Sequence, residues 1–190
     1  MAMYKGLYIC FKHWYRGGTI YLYSDPHFAD AEMKYKRKNY IDDSEQIKRI
    51  NSKVGKKDTI IFLGDIVNTD CIKQIRGYKI LIKGNHDLGD TNYDEVFDEV
   101  YRGQLTISDK IILSHAPIEN LQPYWFNIHG HDHTNKFCGE RCMNVSAEHI
   151  NYTPVALNII LTSGLLKNIP SVHRLTTDKA IEKKAKRETK

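Results

Sequence analysis

The sequence has no long apolar run. Its longest, such as residues 59–63, spans a handful of positions, far short of the about 20 residues a helix needs to cross a bilayer. No membrane partner is therefore expected. Cysteine is scarce, with four in 190 residues, too few for a disulfide scaffold. A reducing, cytoplasmic setting is the corresponding expectation, and Cys138 and Cys142, with three residues between them, read as two unpaired thiols in a hairpin. The first thirty residues carry Lys5, Lys12, His13, Arg16 and Asp25 with no apolar block and cleavage site, which argues against a secretory leader. There is no internal repeat and no Pro/Gly/Ser-rich linker. One domain over residues 1–170, followed by a basic tail at 171–190, fits this organisation.

What is present is ordinary in amount and uneven in placement. The hydrophobic share is 41% and the net charge is +5. The tail holds seven basic side chains against three acidic ones, a balance of +4, which leaves only +1 for the rest of the chain. A basic sum suggests nucleic acid only when it is spread over a binding face. Here it sits at one end, where Lys-rich segments most often serve solubility.

Short β-branched or aromatic runs bounded by turn residues predict strands at 7–11, 19–24, 59–63, 79–82, 110–114, 125–129 and 143–146. Helical spacing of Ile47, Ile50 and Val54 after Asp43 and Ser44 predicts a capped helix. Ile72 and Ile75 mark a shorter one. Tyr93, Val96, Phe97, Val100 and Tyr101 predict another, ended at Gly103, and a last one falls at 157–166. Alternating strands and helices argue an α/β (α+β) architecture, with the later strands partly antiparallel.

The polar residues cluster at strand ends. Asp25 and His27 follow the second run, Gly64 and Asp65 the third, and Gly84, Asn85, His86 and Asp87 the fourth. His115 follows the fifth, and Gly130, His131, Asp132 and His133 the sixth. In α/β sheets, sites form beyond the carboxyl ends of strands. Asp, His and Asn without Cys make an oxygen/nitrogen donor set, suited to Mn, Fe, Co, Ni or Zn rather than to a thiolate-bound structural zinc.

The ordered set Asp25-x-His27, Gly64-Asp65, Gly84-Asn85-His86-Asp87, His115 and Gly130-His131-Asp132-His133 resembles the calcineurin-like metallophosphoesterase superfamily. Residues 144–154 also resemble the segment that follows the last motif in small bacterial members. The resemblance implies a four-layer α/β/β/α sandwich of two mixed sheets flanked by helices. It implies two divalent or trivalent transition metal ions, manganese first. Asp25, His27, Asp65 and His133 would hold one ion and Asp65, Asn85, His115 and His131 the other. It also implies a catalytic His86 as proton donor or phosphate clamp, with Asp87 orienting it, and a metal-bridged hydroxide as nucleophile. The substrate class is then a phosphate ester, small molecule or nucleotide, with a phosphodiesterase preferred over a phosphomonoesterase.

Two alternatives stand beside this enzyme. One is a catalytically inactive scaffold on the same fold, which should show lost ligands; every position here is filled. The other is a nuclease or nucleic-acid binder using the basic tail. The run Lys34, Lys36, Arg37, Lys38 reads as a solvated face or as a lure for anionic substrate. His13, His149 and His173 are assigned no role, and His129 reads as a packing residue or a support for the cluster.

Overall fold

The computed structural model describes residues 4, 6–87, 89, 91–135 and 138–171. The basic tail expected at 171–190 therefore lies, beyond Ser171, outside the described residues. Two mixed sheets stack around an apolar core. The first contains β1 (Ile20–Tyr23), β2 (Thr59–Phe62), β3 (Tyr78–Ile82), β4 (Glu99–Tyr101) and, last in the chain, β9 (Val155–Ala156), in the order β4-β3-β2-β1-β9. The second contains β5 (Leu105–Thr106), β6 (Ile111–Leu113), β7 (Phe126–His129) and β8 (Cys142–Asn144), in that order. The helices are α1 (Met33–Lys36), α2 (Asp43–Lys53), α3 (Thr69–Ile72) and α4 (Leu157–Thr162). This is the α/β sandwich of two mixed sheets, with few helices.

Strand alternation explains how both faces of the first sheet are buried. Side chains two apart share a face. Ile61 and Leu63, with Ile80 and Ile82, enter the core between the sheets, where Leu113, Phe126 and Ile128 meet them. Ile60, Phe62 and Leu81 face the other way, onto Ile47 and Ile50 of α2 and Ile72 of α3. These strands are apolar on both faces, as expected of a parallel sheet covered on both sides. Helix α2 begins where Asp42 accepts the Glu45 backbone N–H at 2.8 Å, one residue before the expected cap.

β1, β2, β3 and β4 run parallel, as do β6, β7 and β8. Carboxyl ends of several strands therefore open on one rim. The two sheets are stitched there. Ser24, just past β1, bridges to Ser146, just past β8, and its N–H donates to the Val145 carbonyl at 3.0 Å.

Three local expectations are corrected. Residues 7–11 form no strand; a 3-10 helix spans Ile9–Trp14 and buries Phe11 and Trp14, and Leu7 keeps one isolated bridge to Ser108. The helix expected from Tyr93 to Gly103 is a single 3-10 turn, Tyr93–Glu95, followed by β4. An open edge of β3 was available, and Val100 and Tyr101 are good strand residues that take it in register with Leu81 and Ile82. The later strands are less antiparallel than expected, for only β5 on β6 and β9 on β1 pair that way.

Candidate metal centre

The rim collects side chains from five strand ends. Two donor groups form: Asp25, His27 and His133, and Asp65, His115 and His131. Within each group one atom per residue lies within 4.8 Å of the others. His27 Nε2 lies 3.5 Å from Asp65 Oδ2, and His115 Nε2 lies 3.4 Å from the same oxygen. Asp65 thus sits between the groups. Asn85 Oδ1 is 2.7 Å from His115 Nε2 and 2.9 Å from His131 Nδ1, which adds it to the second group.

The backbone at these positions is unusual. Asp25, His27, Asp65 and His131 all have φ between 47° and 67°, a left-handed conformation that costs a non-glycine residue roughly 1–2 kcal/mol. Such strain persists where surrounding contacts over-determine it, and it concentrates at functional sites. Two glycines make the crowding possible. Gly64 has φ of 100°, and a Cβ there would fall 2.4 Å from His115 Nδ1. A Cβ on Gly130 would fall 1.9 Å from Ser24 Oγ and 2.2 Å from Asp25 Oδ2.

Each of three histidines is tethered through one nitrogen so that the other faces the centre. His27 Nδ1 donates to Asp30 Oδ2 at 3.2 Å, His115 Nδ1 to the Leu63 carbonyl at 2.7 Å, and His133 Nδ1 to Glu148 Oε1 at 2.5 Å. This is how metal-binding imidazoles are held. The free nitrogen of His27, Nε2, is buried without a hydrogen-bond partner, and so is Asp25 Oδ1. The other oxygen of Asp25 accepts from the His131 N–H and from Ser146 Oγ. An unpaired buried polar atom costs about 1–3 kcal/mol. Two of them within one oxygen/nitrogen donor group fit divalent ions of the Mn, Fe, Co, Ni or Zn kind.

Sequence reasoning missed Asp30, Arg37 and Glu148. Arg37 is not part of a solvated run: it is buried, donates through Nη2 to the Asp25 carbonyl at 2.5 Å, and lies over the Tyr152 ring. Its Nε is 3.6 Å from Glu148 Oε2. Burial works against the Glu148 charge, but the His133 hydrogen bond and the Arg37 charge hold its carboxyl below the usual range. Asp65 behaves alike: burial opposes its charge, and the neighbouring His27 and His115 imidazoles prevail, so its pKa is lowered. The only sequence cue to Glu148 was its place in the segment after the last motif. Nothing in the run around Arg37 separated it from its exposed neighbours.

His86 is exposed at the rim, its ring 5.0 Å from that of His27, and its N–H donates to Asp65 Oδ1 at 2.9 Å. Asp87 does not have the role expected of it. Its carboxylate accepts the N–H groups of Asp65, Ile66 and Gly84 at 2.8 Å and the Tyr93 hydroxyl at 3.2 Å. Both oxygens are thus committed to the loop that carries Asp65, and none of these bonds reaches His86. Asp132, in the last motif, folds back onto Thr134 and Asn135. His13 binds Glu99, and His149 meets the Asp132 carbonyl; His173 lies outside the described residues. Cys138 and Cys142 are disulfide-paired, not unpaired thiols in a hairpin: β7 and β8 are parallel, and the two cysteines close the turn into β8 with their Cα atoms 5.7 Å apart.

The calcineurin-like phosphoesterase profile matches residues 18–181, and the chain belongs to that family. An uncharacterized protein of Methanocaldococcus jannaschii is 32% identical, over 75% of this chain and 89% of its own. A protein of unknown function from Aquifex aeolicus has the same fold, with a TM-score of 0.63 at 24% identity over 75% of this chain and 97% of that one. A Pseudomonas putida nuclease, MPE, superposes more loosely, with a TM-score of 0.43 at 20% identity over 62% of this chain and 63% of that one. Among the described residues, no helix is long and apolar enough to cross a membrane.

Proposed function

We propose that the protein is a metal-dependent hydrolase of phosphate esters, with phosphodiesters preferred over monoesters. The observation that carries this reading is the pair of adjoining three-residue donor groups, Asp25, His27 and His133 beside Asp65, His115 and His131, with Asp25 Oδ1 and His27 Nε2 of the first group buried and unpartnered. Asp25, His27, Asp65 and His133 would hold one ion, and Asp65, Asn85, His115 and His131 a second, manganese being the first candidate. When bound, such ions polarise a phosphoryl group and make water a competent nucleophile near neutral pH.

The chain's own groups supply the rest. Asp87 fixes the Asp65 loop, and the His86 N–H holds Asp65 Oδ1, so the shared carboxylate is oriented before any substrate arrives. Glu148 and Asp30 fix two imidazoles by their Nδ1 protons, which keeps Nε2 free as a donor. The His86 ring, exposed beside the centre, gives a proton from a ring nitrogen to the departing ester oxygen. Such proton transfer is worth about 10²–10⁴-fold in rate. Asn85, His86 and His131 are all exposed, so the rim is open and can admit an ester substituted on both sides; that openness favours the diester. Cellular setting and the preferred ester are part of this proposal, with a cytoplasmic, small-molecule or nucleotide substrate as its working form.

The test is a panel of aryl phosphate mono- and diesters, cyclic nucleotides, dinucleotides and short DNA, each with Mn, Co, Ni, Fe and Zn. Metal-dependent cleavage, faster for aryl diesters than for aryl monoesters, is the expected result. A folded, metal-loaded protein that cleaves none of them contradicts the reading.

A further inference from the structure

A third donor group lies away from the rim, and we propose that in its dithiol state it is a second kind of metal site. A ring nitrogen of His129 and the sulfurs of Cys138 and Cys142 lie within 4.8 Å of one another. The reduced pair and His129 Nε2 then take one thiophilic divalent ion of the zinc class.

Four observations carry this. First, His129 is fully buried at the end of β7, and its Nδ1 donates to the Gly130 carbonyl at 2.8 Å. That bond sets the tautomer and leaves the lone pair on Nε2. Second, Nε2 has no hydrogen-bond partner although it is buried. This is the state of His27 Nε2 at the rim, an imidazole tethered by one nitrogen with the other idle. Third, β7 and β8 are parallel with Asn127 opposite Cys142 and His129 opposite Asn144. Alternation therefore puts Cys142 and His129 on one face of the sheet. Fourth, a cavity of about 470 Å³ is lined by both cysteines together with Met143, Asn144 and His149. It has room for water as a fourth ligand.

The chemistry separates this group from the rim. Two thiolates are soft donors that favour thiophilic ions such as zinc, whereas the carboxylates and amide oxygen of the rim also accept harder ions such as manganese. Zinc–sulfur bonds of about 2.3 Å and zinc–nitrogen bonds of about 2.0 Å require donors within the observed separation. Binding releases the two thiol protons to solvent as the sulfurs become thiolates. The disulfide and the ion exclude one another, since oxidation consumes both sulfur ligands. An ion here would join the turn before β8 to β7, the strand that delivers His131 and His133. The site stands independently of the hydrolase reading.

Cobalt(II) is the probe, because cysteine sulfur gives a near-ultraviolet charge-transfer band that the Asp/His rim cannot produce. Reduced wild-type protein titrated with Co²⁺ should show the band, rising to the amplitude of about one thiolate-bound Co²⁺ per chain, and Zn²⁺ should bleach it. Oxidation to the disulfide should abolish it, as should the paired Cys138→Ser and Cys142→Ser changes. His129→Ala should weaken Co²⁺ binding at least tenfold. Asp65→Asn should leave the band intact while the rim loses metal, which separates this proposal from the hydrolase reading. No band in the reduced wild type, a band that survives both serines, or full affinity in His129→Ala would overturn the proposal.

Discussion

Two clusters in this molecule gather carboxylates with aromatic or imidazole partners, and they differ in one respect. At the edge of the first sheet, Glu99 on β4 is saturated. His13, Trp14 and Tyr78 bond its Oε1 at 2.5, 2.9 and 2.9 Å, and Tyr101 donates to Oε2. At the rim, Asp25 has one oxygen bonded twice and the other buried with no partner. A saturated carboxylate ties parts of a fold together. One left open, opposite an idle imidazole nitrogen and on strained backbone, has its geometry maintained for something else. Composition alone does not separate the two, since both are acids among rings; the distinction is in which lone pairs are spent.

Substitutions can break that comparison. The largest effect belongs to Asp65, placed between both donor groups. Asp65→Asn should abolish metal-dependent hydrolysis and strip the rim of metal, as read by metal analysis and turnover; retained turnover would refute the assignment. His86→Ala comes next. It should keep its metal and lose about 10²–10⁴-fold in rate, with the larger loss on esters with poor leaving groups. An equal loss for good and poor leaving groups would deny it the proton-donor role. Glu148→Gln, acting through His133, should weaken metal binding about 10–100-fold while the fold stays intact by circular dichroism. Unchanged affinity would reduce Glu148 to packing.

The smallest effect lies in the saturated cluster. Burial opposes the charge on Glu99, but its four donors outweigh it, so the pKa falls below the ordinary 4.5. A depressed carboxyl stabilises the fold above its unfolded pKa and loses that contribution as pH falls through the folded value. Glu99→Gln should therefore cost about 1–2 kcal/mol at neutral pH, and the gap to wild type should narrow in denaturant melts below about pH 4. Metal content should not change. A pH-independent gap would mean that the charge contributes nothing there.

How far the sequence carried the account depended on which residues act through their immediate neighbours. Residues 25, 27, 65, 85, 115, 131 and 133 were readable because short apolar strands deliver them to one rim, and strand ends show in the local pattern. Glu148, Asp30 and Arg37 were not readable, because their roles depend on what lies across the sheet junction. Arg37 looked like its exposed lysine neighbours until Glu148 and Tyr152 were placed against it. Asp87 shows the converse: the motif was visible, yet its hydrogen bonds go to the Asp65 loop rather than to its neighbour in sequence. β4 was misread as helix because an edge strand's stability comes from β3, which no local periodicity reports.

Metal binding to the rim tests the central claim most directly. Chelator-stripped wild-type protein, titrated with Mn²⁺ by calorimetry with its cysteines kept oxidised, should bind about two equivalents, and Asp25→Asn and Asp65→Asn should each lose affinity. A folded wild-type protein that binds no Mn²⁺, Co²⁺ or Zn²⁺ in that state would contradict it.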